Sequence, residues 1–183
     1  MSLAKQILAL SAPLLACLFV GTAAGDALPY HARAMASLGM EMPIADRVLV
    51  RKSERRLYLM RGNDVLRAYR VALGLNPAGA KERAGDFRTP EGTYRLSRRN
   101  TRSDYFLSIQ VSYPNDLDMQ RARRNGWQAG GSIMIHGLPN DPRHEPDYYA
   151  TQDWTDGCIA VTNADMVEIW MMTSDNVPID IQP

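Results

Sequence analysis

The chain has 183 residues, of which 45% are hydrophobic and 22% charged, and its formal net charge is +1. These values are typical of one globular domain with a substantial hydrophobic core, and they exclude an intrinsically disordered chain. The balanced charge provides no electrostatic footprint for nucleic acid, so the sequence predicts no nucleic-acid partner.

Residues 1–25 are predicted to be a secretory signal peptide. Lys5 supplies the positive start, residues 7–20 form the apolar segment, and residues 22–25 are small enough for cleavage. The apolar segment is shorter than a typical transmembrane helix, so no integral membrane domain is expected after cleavage. We therefore predict a protein of the periplasm or cell envelope. An uncleaved anchor and lipoprotein processing at Cys17 stay open as alternatives.

Removal of this leader has two consequences. The 21 basic residues lose Lys5, which leaves 20 against 20 acidic residues and a mature net charge of zero. Cys17 is lost as well, so Cys158 becomes the only cysteine. An exported chain with one cysteine either pairs with another chain or keeps a reactive thiol.

Residues 26–45 are predicted to be a linker or N-terminal arm, and residues 46–183 a single domain. From Arg47 onward, short β-rich runs separated by turn residues predict consecutive antiparallel hairpins. Further strands are expected from Tyr94 and over residues 106–112.

The second half continues this pattern around brief helical segments. The apolar residues 133–135 predict a strand that leads directly to His136, and residues 158–161 predict another. Residues 140–153 are expected to be a functional loop, because no periodicity supports an element there.

A helix is predicted after the strand of residues 158–161. Thr162 or Asn163 would cap its start, and Val167, Trp170 and Met171 would face the core at helical spacing. Many short, mostly antiparallel strands with one or two short helices predict a mainly β fold, either a β-sandwich or a partly closed barrel.

Cys158 and His136 are the candidate catalytic pair. Only a thiolate attacks readily, and a free thiol has a pKa of about 8.5, so a nearby imidazole is needed to accept the proton. Gly157 permits a tight turn that would aim backbone N–H groups at a developing oxyanion. The alternative reading of Cys158 is a small buried apolar residue, but its position in Thr-Asp-Gly-Cys is typical of a turn.

Three motifs resemble the catalytic domain of the L,D-transpeptidases (YkuD-type). His136-Gly137, then Thr155-Asp156-Gly157-Cys158 and Asn163, look like the catalytic signature of this family. Thr89-Pro90-Glu91-Gly92 looks like its TPxG segment, and residues 131–136 resemble its approach strand. The resemblance covers roughly residues 47–181 and implies a β-sandwich catalytic fold.

The resemblance implies an exported cysteine L,D-transpeptidase acting on peptidoglycan tetrapeptide stems. Cys158 would attack the carbonyl preceding the terminal D-alanine, and His136 would pass the proton to the leaving amine. The Gly137 carbonyl would orient the imidazole, and backbone amides of Asp156, Gly157 and Cys158 would form the oxyanion hole. The family's cysteine is also acylated by carbapenems.

Further roles and partners follow from the same resemblance. Thr155, Asn163 and His144 are expected to contact the substrate. The acyl acceptor would be a stem peptide, an envelope protein or a free D-amino acid. No cofactor and no metal are expected, since no zinc-type spacing of Cys and His is present.

The chain departs from the family pattern at two positions. Many members have His before the Gly-Cys pair and Arg two residues after the cysteine, where this chain has Asp156 and Ala160. Two alternatives to transfer therefore stay open. One is hydrolysis of the same substrate, as a carboxypeptidase or endopeptidase, and the other is a non-catalytic wall-binding module. Arg98, Arg99 and Arg102 are predicted to lie on a solvated face.

Overall fold

The computed structural model describes residues 42–183. The predicted signal peptide and nearly all of the predicted linker lie outside these residues. Ala45, which the sequence placed in the linker, is in fact buried at 3% exposure. Its N–H donates to the Met172 carbonyl at 2.8 Å. The chain therefore packs on the core before the first strand begins.

The described residues contain eight strands and three short helices. The strands are β1 Arg47–Arg51, β2 Arg56–Arg61, β3 Asp64–Arg70, β4 Gly92–Ser103, β5 Phe106–Val111, β6 Met134–His136, β7 Ile159–Ala160 and β8 Pro178–Gln182. The helices are α1 Asp116–Arg124, α2 Pro146–Thr151 and α3 Asn163–Met172. None of these helices combines the length and apolar character that a membrane crossing needs.

All eight strands belong to one mixed sheet in the order β3-β2-β1-β8-β4-β5-β6-β7. The pairs β1–β8 and β6–β7 are parallel and the others are antiparallel. The sheet curls until its two ends meet, where Ala72 and Ala160 exchange two backbone hydrogen bonds of 2.9 Å. The mainly β prediction is confirmed, and this contact makes the sheet a partly closed barrel.

Alternating apolar residues explain why the central strands form the core. Strands with a period of two bury every second side chain when one face is covered. Val48 and Val50 of β1 are fully buried, and so are Leu57 and Leu59 of β2. The last strand, β8, is not an edge strand, because it lies between β1 and β4 and joins the two halves of the sheet.

The predicted core-facing stripe of α3 is correct only in part, because Trp170 packs against the core whereas Val167 does not. Val167 is 36% exposed, and Trp170 and Met171 are only half-buried. The residues that face the core are Met166, Ile169 and Met172, all fully buried. Apolar residues lie nearly all around this helix, so its sequence does not determine which side packs on the sheet. Its start agrees with the prediction, because Thr162 Oγ1 accepts from the Asp165 N–H at 3.1 Å.

The predicted loop of residues 140–153 contains helix α2, which the sequence analysis missed. This helix has six residues with Pro146 at its first turn, and is too short to show a periodicity. Arg70 holds it against the sheet by donating to the carbonyls of Ala150 and Thr151 at 2.7 and 3.2 Å.

The two faces of α3 provide a matched test of the packing. We expect Ile169→Ala to lower the free energy of unfolding by about 2–5 kcal/mol, since it opens a cavity in the core. Val167→Ala on the exposed face is expected to change it by about 0.5 kcal/mol or less. Urea unfolding of both variants checks this. Equal losses would contradict the observed orientation of the helix.

Candidate active site

Strands β6 and β7 bring His136 and Cys158 to one face of the sheet. The parallel register pairs Ile135 with Ile159 and His136 with Ala160. One step back along both strands, Cys158 lies beside Met134, two residues from His136. Because side chains on a strand alternate, this spacing places the thiol and the imidazole on the same side.

Both side chains line one cleft of about 600 Å³. The tip of the β4–β5 hairpin forms one wall, and the segments before β6 and β7 form the other. The lining residues are Asn100, Arg102, Ser103, Asp104, Tyr105, Ser108, Gly131, Ser132, Ile133, Met134, His136, Trp154, Thr155, Asp156 and Cys158.

His136 is buried at 4% exposure and lies between two aromatic rings. Its ring centroid is 4.6 Å from that of Tyr105 and 5.6 Å from that of Trp154. Nδ1 lies 2.7 Å from the Gly137 carbonyl oxygen. A carbonyl only accepts, so Nδ1 carries the proton in this contact and Nε2 is left with a free lone pair.

Burial lowers the pKa of His136 to about 4, and the hydrogen bond to Gly137 opposes this shift. The imidazole is therefore neutral near pH 7, which is the protonation state that a general base needs.

Cys158 is a free, partly exposed cysteine, and its environment keeps it a thiol. Burial raises its pKa, and the charge of Asp156 adds to this effect. A backbone hydrogen bond from Met134 and the charge of Lys81 act in the opposite direction. The S–H group donates to the Ser132 carbonyl, with a separation of 3.6 Å. The lowered pKa of His136 and the raised pKa of Cys158 both favour the neutral form, so the cleft holds a neutral thiol and a neutral imidazole.

Close backbone packing holds the turn that carries Cys158. Gly157 has φ of +128°, and a Cβ there would lie 2.6 Å from the Arg88 carbonyl oxygen. A Cβ at Gly74 would overlap the Phe87 carbonyl and come within 3.0 Å of the Gly157 Cα. Only glycine at both positions lets the three segments lie backbone against backbone.

Two of the predicted substrate-binding residues are engaged within the protein. Thr155 is buried, and its Oγ1 accepts from the Gly157 N–H at 3.1 Å and donates to the Cys158 carbonyl at 2.8 Å. Asn163 Oδ1 accepts from the Leu138 N–H at 2.8 Å, on the turn that follows His136. Both side chains therefore shape the turns next to Cys158 and His136.

The remaining predicted residues lie in different places. Asp156 lines the cleft beside Cys158. The Gly157 N–H, predicted for the oxyanion hole, already donates to Thr155 in this structure. His144 does not line the cleft of Cys158. Its ring lies 4.1 Å from that of Tyr148, in a neighbouring cleft of about 370 Å³ that shares Asp104, Tyr105 and Trp154 with the first.

Sequence analysis missed the hairpin tip that covers His136. Asn140 holds this tip with three hydrogen bonds: its N–H donates to Asp104 O, its side-chain amide donates to Ser103 O, and its Oδ1 accepts from Phe106 N–H. The Gly137 N–H also donates to the Tyr105 carbonyl at 3.1 Å. Nothing in the local sequence marks these contacts, because they join segments more than 30 positions apart.

Metal ligation has no support in the part of the chain that the structure describes. No three side chains of His, Cys, Asp or Glu converge within residues 42–183.

Replacement of Gly157 tests the packing of the turn that carries Cys158. We expect Gly157→Ala to cost about 3 kcal/mol or more in unfolding free energy, because it combines backbone strain with a clash. Gly62→Ala is the matched control, since Gly62 has φ of +56° and open space around it. That variant is expected to lose only about 1–2 kcal/mol. Urea unfolding and the iodoacetamide rate at Cys158, followed by peptide mapping, provide the measurements. Equal losses in both variants would refute the clash.

Solved structures and curated proteins resemble this chain over the same region. The helical cell shape determining protein Pgp2 from Campylobacter jejuni is 28% identical, with a TM-score of 0.55, over 74% of this chain and 46% of that one. Bd1075 from Bdellovibrio bacteriovorus shares the fold, with 23% identity, a TM-score of 0.51, and 75% and 48% coverage.

YafK of Escherichia coli K12, named as a candidate L,D-transpeptidase, is 28% identical over 139 residues. This match covers 74% of the present chain and 49% of YafK, so the chain spans about half the length of the curated relatives it matches. The family model of the L,D-transpeptidase catalytic domain matches residues 45–181, which include both His136 and Cys158. The chain belongs to the L,D-transpeptidase catalytic domain family (YkuD-type).

Proposed function

We propose that this protein is an exported cysteine L,D-transpeptidase that acts on peptidoglycan tetrapeptide stems in the cell envelope. The observation that carries the proposal is the cleft in which a thiol and a buried neutral imidazole lie on one face of paired strands. Family membership supports the substrate class, and residues 1–25 support export. The relation to Pgp2 supports a role in cell shape.

The reaction begins when Cys158 Sγ attacks the carbonyl carbon that precedes the terminal D-alanine. The thiol proton passes to Nε2 of His136, while the Nδ1–H bond to Gly137 holds the ring in the correct tautomer. Backbone amides of Asp156 and Cys158 are the proposed donors to the oxyanion, because the Gly157 amide is engaged by Thr155. The C–N bond then breaks, His136 returns the proton to the amine, and D-alanine leaves a thioester on Cys158.

The thioester is resolved by an acceptor amine. Attack by the amine forms a new amide and releases the thiol, so the energy of the cleaved peptide bond is conserved and no ATP is required. The acceptor amine belongs to another stem, an envelope protein or a free D-amino acid.

Hydrolysis is the second candidate, and one observation favours it. The Cys158 cleft and its neighbour share Asp104, Tyr105 and Trp154 as lining residues, so an acceptor bound in the neighbouring cleft would lie across these side chains from the thiol. A water molecule, unlike such an acceptor, can reach the thioester from within the Cys158 cleft. The same residues would then act as an L,D-carboxypeptidase or endopeptidase.

Acylation by a carbapenem tests the nucleophile. We expect one covalent adduct on the wild-type protein, mapped to Cys158 by mass spectrometry and absent from Cys158→Ala. His136→Ala is expected to slow acylation by about 100-fold or more, because the general base is lost. A wild-type protein that forms no adduct would support a non-catalytic wall-binding module instead.

The acylation rate also reports the protonation state of His136. Because burial holds the imidazole neutral down to a pKa of about 4, the rate is expected to stay constant from pH 7 to pH 5.5. A solvent-exposed histidine would lose most of its activity over this range, since its pKa is about 6.5. A midpoint near pH 6.5 would contradict the buried neutral base.

Product analysis separates transfer from hydrolysis. A purified tetrapeptide stem is incubated with the enzyme, with and without a large excess of a D-amino acid or a second stem. Transfer predicts an exchanged or cross-linked product that replaces the tripeptide as acceptor concentration rises. Tripeptide as the sole product at every acceptor concentration would identify a hydrolase. Cys158→Ala, which is expected to form neither product, is the control.

A further inference from the structure

The charges in the Cys158 cleft are unevenly distributed. Among the residues described, Arg102 is the cleft's only arginine or lysine, whereas Asp104 and Asp156 are both acidic. His136 is neutral near pH 7 because of its lowered pKa. An anionic group that enters this cleft therefore meets one attractive position and two repulsive ones.

The Arg102 guanidinium has no partner within residues 42–183. No carboxylate of these residues forms an ion pair with it, and no side-chain hydrogen bond involves it. Its neighbour Arg99 is fully engaged, donating to the carbonyls of Trp170 and Thr173 and to Asp175. The prediction of a solvated face is thus wrong for Arg99, while Arg102 presents unused donors to the cleft.

The backbone beneath Arg102 is well ordered by hydrogen bonds. Its N–H donates to Asn100 Oδ1 at 2.9 Å, and the adjoining hairpin tip is held by Asn140. Binding of an anion to Arg102 would therefore immobilise only the arginine side chain, because the loop beneath it is already held in place. The entropic cost of binding is then low.

We infer that Arg102 binds the α-carboxylate of the substrate's terminal residue and so restricts the enzyme to stems with a free C-terminus. This inference rests on the proposed function. Cleavage before a terminal D-amino acid places a carboxylate one residue beyond the scissile carbonyl, inside the same cleft. The planar guanidinium fork binds a carboxylate through two parallel hydrogen bonds. Asp104 and Asp156 repel the same group from the rest of the cleft.

Two peptides that differ only at the C-terminus test this role. One is the tetrapeptide stem ending in D-alanine, and the other is the same stem ending in D-alaninamide. Wild type is expected to prefer the acid by about tenfold or more in kcat/KM, the range of one charged hydrogen-bonded contact. Arg102→Ala is expected to lose this preference by slowing the acid alone, and Arg102→Lys to keep part of it. Arg98→Ala is the matched control, since Arg98 is exposed on the same strand and lines no part of the cleft.

Three other results of this peptide comparison would overturn the inference. Equal losses on acid and amide in Arg102→Ala would indicate a role in the structure of the hairpin. An unchanged preference in Arg102→Ala, or none in wild type, would exclude a carboxylate site at this residue.

Measurements of peptide affinity test the carboxylate site independently of the proposed reaction. The affinities of both peptides for Cys158→Ala and for Cys158→Ala/Arg102→Ala are measured calorimetrically, without turnover. If wild type cleaves neither peptide but Cys158→Ala prefers the acid only when Arg102 is present, the proposed reaction is wrong and the carboxylate site stands. Equal affinities in both proteins would overturn the site itself.

Discussion

The position of Cys158 depends on backbone-to-backbone contact between three chain segments. Gly74 and Gly157 face each other, and the carbonyls of Phe87 and Arg88 fill the space where side chains would project. A turn packed in this way has little freedom to shift, because protein interiors resist both gaps and overlap. Thr155 completes the arrangement by bonding to both ends of the turn. The sulfur is thereby positioned by main chain, which varies less in conformation than side chains do.

Burial and hydrogen bonding give the two reactive groups their protonation states. Burial lowers the pKa of the His136 imidazole and raises the pKa of the Cys158 thiol. Both pKa shifts favour the neutral forms of the two groups. The fold therefore does not maintain a permanent thiolate that would be open to oxidation. In the proposed reaction, Cys158 becomes a strong nucleophile only when a substrate is positioned to receive the electron pair.

The parts of the site that lie in short sequence motifs could be predicted from the sequence. Cys158 and His136 stand in motifs whose chemistry is local, and the mainly β pattern is visible in alternating apolar residues. The hairpin tip with Tyr105 and Asn140 could not be predicted, because its contacts join segments distant in sequence. The side of α3 that packs on the sheet was predicted only in part. Several faces of this helix are apolar, and contact with the sheet decides which of them is buried. The engagement of the Gly157 amide by Thr155 depends on a side-chain rotamer, which no motif specifies.

The position of β8 has a consequence for how the molecule is assembled. This strand comes last among the described elements, yet it pairs with β1 on one side and β4 on the other. Without it, the β1–β3 hairpins and the β4–β7 segment keep the backbone hydrogen bonds between Ala72 and Ala160 but lose the hydrogen-bond ladders on both sides of β8. Contacts so distant in sequence form late, because loop closure opposes them. A chain in which β8 has not yet paired therefore holds the Cys158 thiol and the His136 imidazole on an incomplete sheet.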